Sequence, residues 1–178
     1  DLTYIVAFNS DGGSIVSPKV LDPEEAVGDL PTPTRLGYTF VGWFDENEQQ
    51  VTSSLVPTSD VLLIAHWEEK YYTVTFDVAG GSSVTSPIQV QEGSTISVLP
   101  ETTEQGYDFL GWFNNSTQLT TSTQIMNDIT YTASFNQRMV TVTFDSDGGS
   151  SVASMSIPEG STISTLPTST KLGYTFAG

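Results

Sequence analysis

Gly37-Tyr-Thr-Phe-Val-Gly-Trp-Phe44 returns as Gly106-Tyr-Asp-Phe-Leu-Gly-Trp-Phe113 and again as Gly173-Tyr-Thr-Phe-Ala-Gly178. Each copy is a short aromatic-rich strand candidate with glycine at two fixed places. The offsets are 69 residues (37 to 106) and 67 residues (106 to 173). A period of this size marks a tandem repeat, so architecture comes before any catalytic site.

Outward from the first copy, Tyr4-Ile-Val-Ala-Phe8 reads as a strand and Asn9-Ser-Asp-Gly-Gly13 as a turn between antiparallel strands. Residues 15–21 read as the returning strand, which Pro18 confines to an edge or a bulge. In Asp22-Pro-Glu-Glu-Ala-Val27, Asp22 can cap, Pro23 fits a first helical turn and the glutamates suit the positive end of a dipole; the stretch predicts a short helix. Leu30-Pro31 ends it and leads to the signature strand. Residues 45–60 are polar and without period, a loop, and residues 61–67 close the repeat as a strong strand.

The same order recurs twice, with Glu92-Gly-Ser-Thr-Ile-Ser-Val-Leu-Pro100 matched by Glu159-Gly-Ser-Thr-Ile-Ser-Thr-Leu-Pro167. The expected organisation is repeat one over 1–69, repeat two over 70–137 and repeat three over 138–178, the last truncated before its Trp and closing strand. The linkers Glu68-Glu-Lys70 and Asn136-Gln-Arg-Met139 are short, which favours a semi-rigid rod. A partial repeat is too small to fold alone, so residues 140–178 are expected to be held by repeat two, by another chain or by further parent sequence.

Five Lys+Arg stand against 21 Asp+Glu, a net charge of −16. Such a surface repels nucleic acid and anionic membrane faces, so no nucleic-acid partner is expected. There is no cysteine, which excludes disulfides, thiolate metal sites and a cysteine nucleophile. No apolar run is long enough to span a membrane, and the opening residues lack a signal-peptide pattern; a secreted parent would carry its targeting signals outside these residues.

Val-x-Phe, Gly-Gly, Gly-Ser-Thr-Ile, Leu-Pro, Gly-Tyr-x-Phe-x-Gly-Trp-Phe and a closing Tyr-x-Ala-x-aromatic together resemble the Listeria-Bacteroides repeat, the internalin-type B-repeat. The resemblance implies a mainly β, α+β fold: tandem β-grasp-like (ubiquitin-like) repeats, each a twisted sheet with one short helix. It also implies bacterial cell-surface or secreted proteins in which the repeats act as stalk or adhesive module. Repeat one departs from the pattern with Pro-Glu-Glu-Ala-Val in place of Glu-Gly-Ser-Thr-Ile.

Alternation sets the strand faces. Val74, Phe76, Val142 and Phe144 point inward, as do Ile129, Tyr131, Ala133 and Phe135, while threonines and Ser134 point outward. Repeat one breaks this rule: Ile5 and Ala7 replace Thr73 and Thr75, and Leu62, Ile64 and His66 replace Thr130, Thr132 and Ser134. If the first and last strands are neighbours, Ile5, Ala7, Leu62 and Ile64 form one apolar stripe. Either another element of the repeat covers it, or it contacts a preceding domain, another chain or a ligand.

Asn9-Ser-Asp11-Gly and Asp145-Ser-Asp147-Gly have spaced carboxylates before glycine, as calcium loops do, but no later bidentate Glu follows, and a hairpin turn accounts for them. His66 is the lone histidine and reads as a packed or surface residue. Trp43 and Trp112 offer either a carbohydrate platform or core packing, with the intervening glycine as a bulge that resets the alternation. Lys19 has no counterpart in the other repeats and gives weak grounds for an isopeptide crosslink. No nucleophile–base pair, phosphate loop or metal cluster emerges, so no catalytic, cofactor or metal residue is assigned and no enzyme is expected. The expected role is a stalk or spacer partnered by proteins or neighbouring domains, with chain–chain contact through repeat one or the truncated repeat three. The alternatives are a protein- or carbohydrate-binding adhesin module and an accessory domain of a secreted enzyme.

Overall fold

A computed structural model describes residues 2–178. The chain divides into two compact units. The first comprises Asp1–Val74, Pro87–Val98 and Thr120–Ile129, and the second Thr75–Ser86, Leu99–Leu119 and Thr130–Gly178.

The first unit contains the whole sheet of repeat one. Strands β1 (Tyr4–Asn9), β2 (Lys19–Leu21), β3 (Tyr38–Phe44) and β4 (Val61–Glu69) lie in the order β2-β1-β4-β3. β1 runs parallel to β4, pairing Ala7 with Leu62 and Phe8 with Leu63, while β2 and β3 flank them antiparallel. First and last strands are therefore neighbours, and β2, which follows Pro18, sits at the edge where a missing donor does least harm. The inward positions Val6, Leu63 and Ala65 join Leu21, Val27 and Trp43 in one buried cluster. The register slips between Phe40 and Gly42, and this bulge turns Trp43 to the side of Phe40. Its ring packs edge-on against Phe8 and Phe40 at centroid distances of 4.8 and 5.5 Å, and it is 1% exposed. The tryptophans are thus core residues, and the carbohydrate-platform alternative has no exposed indole here.

Repeat two is built the same way from β5 (Tyr71–Asp77), β6 (Ile88–Gln91), β7 (Tyr107–Asn114), β8 (Thr117–Gln118) and β9 (Ile129–Gln137), in the order β6-β5-β9-β7-β8. In the first unit the opening of β5 pairs antiparallel with β6, Tyr72 opposite Val90. In the second unit β7 pairs antiparallel with β9 and carries the same bulge between Phe109 and Gly111. Trp112 is again 1% exposed and edge-on to Phe76 and Phe109. Repeat three contributes β10 (Met139–Val142) and β11 (Met155–Pro158), an antiparallel pair.

The second glycine of each Gly-Gly turn is set by packing. A Cβ on Gly13 would stand 2.5 Å from the Trp67 ring. One on Gly149 would stand 2.5 Å from the Ser169 hydroxyl, so the turn lies flat against the chain behind it.

The expectation of a short helix in each repeat is overturned: among the described residues the fold is all β, with no helix. Mainly β holds; a sheet embracing a helix, the β-grasp reading, does not. Asp22-Pro-Glu-Glu forms a single turn in which the Glu25 amide donates to the Asp22 carbonyl at 3.2 Å and Glu24 takes φ +69°. A residue in that conformation cannot continue a right-handed helix. Repeats two and three place glycine at the same turn position, Gly93 with φ +79° and Gly160 with φ +78°. Asp then Pro is a signature of turns as well as of helix starts, and here the turn wins at Glu24, whose left-handed backbone matches that of the glycines in the other two repeats.

Candidate functional site

Two features stand out from the otherwise repeated architecture: a junction made twice between consecutive repeats, and the outer face of the first sheet.

The first junction lies within the first unit. Gly37 opens the signature of repeat one, and its carbonyl accepts the Lys70 amide at 2.9 Å and the Gln91 side-chain amide at 3.1 Å. Its own amide donates to the Glu92 carboxylate at 3.2 Å. The Glu92 amide donates to the Lys70 carbonyl at 2.8 Å, and the Lys70 ammonium reaches the Glu92 carboxylate at 2.7 Å. Linker cation, turn glutamate and signature glycine thus close one ring of hydrogen bonds. Gly37 sits at φ +82°, and a Cβ there would come within 3.2 Å of the Glu92 carbonyl. The hydrogen bond from Lys70 holds the Glu92 carboxyl below its ordinary range, and the same bond, reinforced by Tyr72, pushes the Lys70 ammonium up.

The second junction repeats the pattern within the second unit. The Arg138 amide donates to the Gly106 carbonyl and the Glu159 amide to the Arg138 carbonyl, both at 2.8 Å. The Arg138 guanidinium pairs with Glu159 and with Asp108, each at 3.1 Å. Residues of repeat three are therefore held by repeat two. Repeat one has Leu2 and Pro23 where repeat two has Lys70 and Glu92, as the pairing of Tyr4 with Leu21 and of Tyr72 with Val90 sets the correspondence.

The sequence reading passed over these residues. Their signal is that Lys70 and Arg138, two of only five cations, occupy equivalent linker places, each followed by a Glu-Gly turn. What the sequence could not supply is that the turn faces the glycine opening the previous signature.

On the outer face, the structure brings Ile5, Ala7, Leu62 and Ile64 together on β1 and β4, as the alternation requires. Ile5 and Leu62 are 44% and 53% exposed, while Ala7 and Ile64 are half-buried. The stripe continues beyond those four. Val20 lies opposite Ile5 and Phe44 opposite Ile64, and His66 stacks on Phe44 at 3.9 Å. His66 is thus a half-buried stacking partner.

The remaining candidates resolve into structural roles. The side chains of Asn9 and Asp145 each accept the backbone amide two residues on, closing the turns that precede Gly12 and Gly148. Among the described residues no group of three or more His, Asp or Glu is placed to hold a metal ion. The Lys19 ammonium donates to the carbonyls of Val27 and Asp29.

The family model described as the Listeria-Bacteroides repeat domain matches residues 4–66, 72–136 and 141–178. A protein of Evansella cellulosilytica provisionally named a Gly-rich membrane protein is 30% identical over 98% of this chain and 21% of its own length. A second protein of that bacterium, provisionally named a membrane protein, is 33% identical over 63% of this chain and 17% of its own. Internalin H of Listeria monocytogenes is 30% identical over 64% of this chain and 21% of its own. The chain thus covers about a fifth of the length of these relatives. No solved structure matches it.

Proposed function

Because this chain belongs to the Listeria-Bacteroides repeat family, we propose that it is a non-catalytic structural and interaction segment, a stalk or spacer in a bacterial cell-surface or secreted protein. The observation that carries this reading is the junction made twice from the same parts. A segment that only tethered its neighbours would need no hydrogen-bonded clasp at each linker. One that sets a spacing needs a fixed junction wherever two repeats meet. The names of the relatives, two membrane proteins and an internalin, support the surface location.

Electron–electron distance measurement between spin labels at Ser17→Cys and Ser97→Cys tests the junction, since both side chains are exposed. The expected result is a narrow distance distribution that broadens when Lys70→Ala and Glu92→Gln are combined. A distribution already broad before those substitutions would overturn the spacer reading.

A further inference from the structure

Repeat two is an internal control for the outer face of repeat one, because it carries the same strands, and keeps Phe113 where Phe44 lies, without the other apolar side chains. Thr73 and Gln89 pair in repeat two where Ile5 and Val20 pair in repeat one. Thr130 and Thr132 stand where Leu62 and Ile64 do. The fold therefore has no need of an apolar outer face. Leaving Val20 63%, Leu62 53% and Ile5 44% exposed has an unfavourable hydration cost that the threonine version avoids.

The charges around this face also differ between the repeats. The loop after β3 carries Asp45, Glu46 and Glu48, whereas the loop after β7 reads Asn114-Asn-Ser-Thr-Gln118 with no acid. Asp45 and Glu46 line one depression with Asp60, Leu62 and Ile64, and the Asp60 carboxylate accepts the Ile5 amide at 2.8 Å. The cations of repeat one are engaged elsewhere: Lys19 on the carbonyls of Val27 and Asp29, and Arg35 on Asp11. Apolar centre and acidic rim are thus coincident; Asp60 has a counterpart in Asp128, which accepts the Thr73 amide at 2.7 Å, whereas the apolar centre and the acids Asp45, Glu46 and Glu48 are peculiar to repeat one.

We propose that the outer face of the first sheet, centred on Ile5, Leu62 and Ile64, is a docking surface for another protein that presents an apolar patch edged by lysine or arginine. Two copies of this chain would bring identical acidic rims together, which opposes self-association on a molecule of net charge −16. A cationic apolar partner gains from both parts of the surface: apolar burial supplies the affinity, and the rim selects for charge and speeds encounter. This role goes beyond spacing, because a repeat can set a distance with threonine on that face, as repeat two does.

The test uses three labelled strand-forming peptides, alternating Lys–Leu, Glu–Leu and Lys–Thr, in fluorescence anisotropy titrations of the full chain at physiological ionic strength. The Lys–Leu peptide should bind and shift the amide resonances of residues 5–7 and 61–66, and the other two should not. A variant combining Ile5→Thr, Leu62→Thr and Ile64→Thr should bind about tenfold more weakly. Asp45→Asn with Glu46→Asn keeps a side-chain oxygen at position 45 to accept the Asn47 and Gln49 amides and should weaken binding several-fold and flatten its salt dependence. Equal binding by these variants and the unaltered chain overturns the proposal, as does failure of the Lys–Leu peptide to bind. So does sedimentation as a dimer that the triple variant renders monomeric, since the occupant would then be a second copy. None of these outcomes bears on the spin-label distances, so the spacer reading stands or falls separately.

Discussion

The indole N–H of Trp43 donates to the carbonyl of Pro31 at 2.7 Å, and that of Trp112 to the carbonyl of Pro100 at the same distance. Two motifs that look independent in the sequence, Leu-Pro and Gly-Trp-Phe, are the two ends of one bond. The tryptophan side chain is wholly buried, so its one polar atom must find a partner, and the chain entering the signature strand provides it.

Trp43→Phe keeps an aromatic ring in the core and removes only the donor and part of the volume. It should destabilise repeat one by about 1–3 kcal/mol, because the part-buried Pro31 carbonyl loses its partner. Urea unfolding followed by amide exchange resolves the two sheets. Trp112→Phe should have an equal effect on repeat two, and a loss no larger than that of an exposed surface substitution would sink the idea.

Glu24 holds a left-handed conformation at a position where repeats two and three have glycine. Replacing it with glycine should stabilise repeat one by about 1 kcal/mol, the order of the strain an L-residue carries there. The reverse change, Gly160→Ala, meets no neighbouring atom within 4 Å, so any loss it causes is conformational alone. Thermal melts of both variants check the pair; a destabilised Glu24→Gly protein would contradict the turn assignment.

The Lys70–Glu92 pair gives the first junction a pH window. The Glu92 carboxyl is lowered by the Lys70 hydrogen bond, so its contribution is fully present above the ordinary glutamate range of about 4.3 and is lost as pH falls through the depressed value. The Lys70 ammonium is raised by the same bond, so its contribution is complete below about pH 10 and is lost only on stronger alkalinity. Amide exchange at Gly37, whose N–H donates to Glu92, should therefore be slowest between about pH 5 and 10 after correction for intrinsic rates. Glu92→Gln should abolish the acid limb. An acid limb that survives this change would place the titrating group elsewhere.

Much of the sheet was legible because strand alternation reports directly on side-chain direction. The inward Val74 and Phe76, the outward Ile5 and Leu62 and the edge position of β2 follow from a period of two and one proline, whereas the parallel pairing of β1 with β4 needed the structure. The expected helix failed because Asp22-Pro-Glu-Glu satisfies the opening requirements of a turn and of a helix equally, and only the backbone of Glu24 separates them. The docking face was half visible. Ile5, Ala7, Leu62 and Ile64 were readable from the offset between repeats, while Val20 and Phe44 needed the strand register. The junction was least visible of all, since Lys70 and Glu92 mean nothing as a pair until Gly37 is known to lie between them.

The ring at Gly37, Lys70 and Glu92 also bears on how such a row could lengthen by gene duplication. A copied segment beginning at Lys70 and ending at Gln137 carries its own cation, turn glutamate and signature glycine, so it arrives able to engage whatever copy stands on either side. A copy of repeat one arrives with Leu2 and Pro23 in those places and has no means of closing the ring with the repeat before it. Internal copies are thus interchangeable currency for recombination, and repeat one is not.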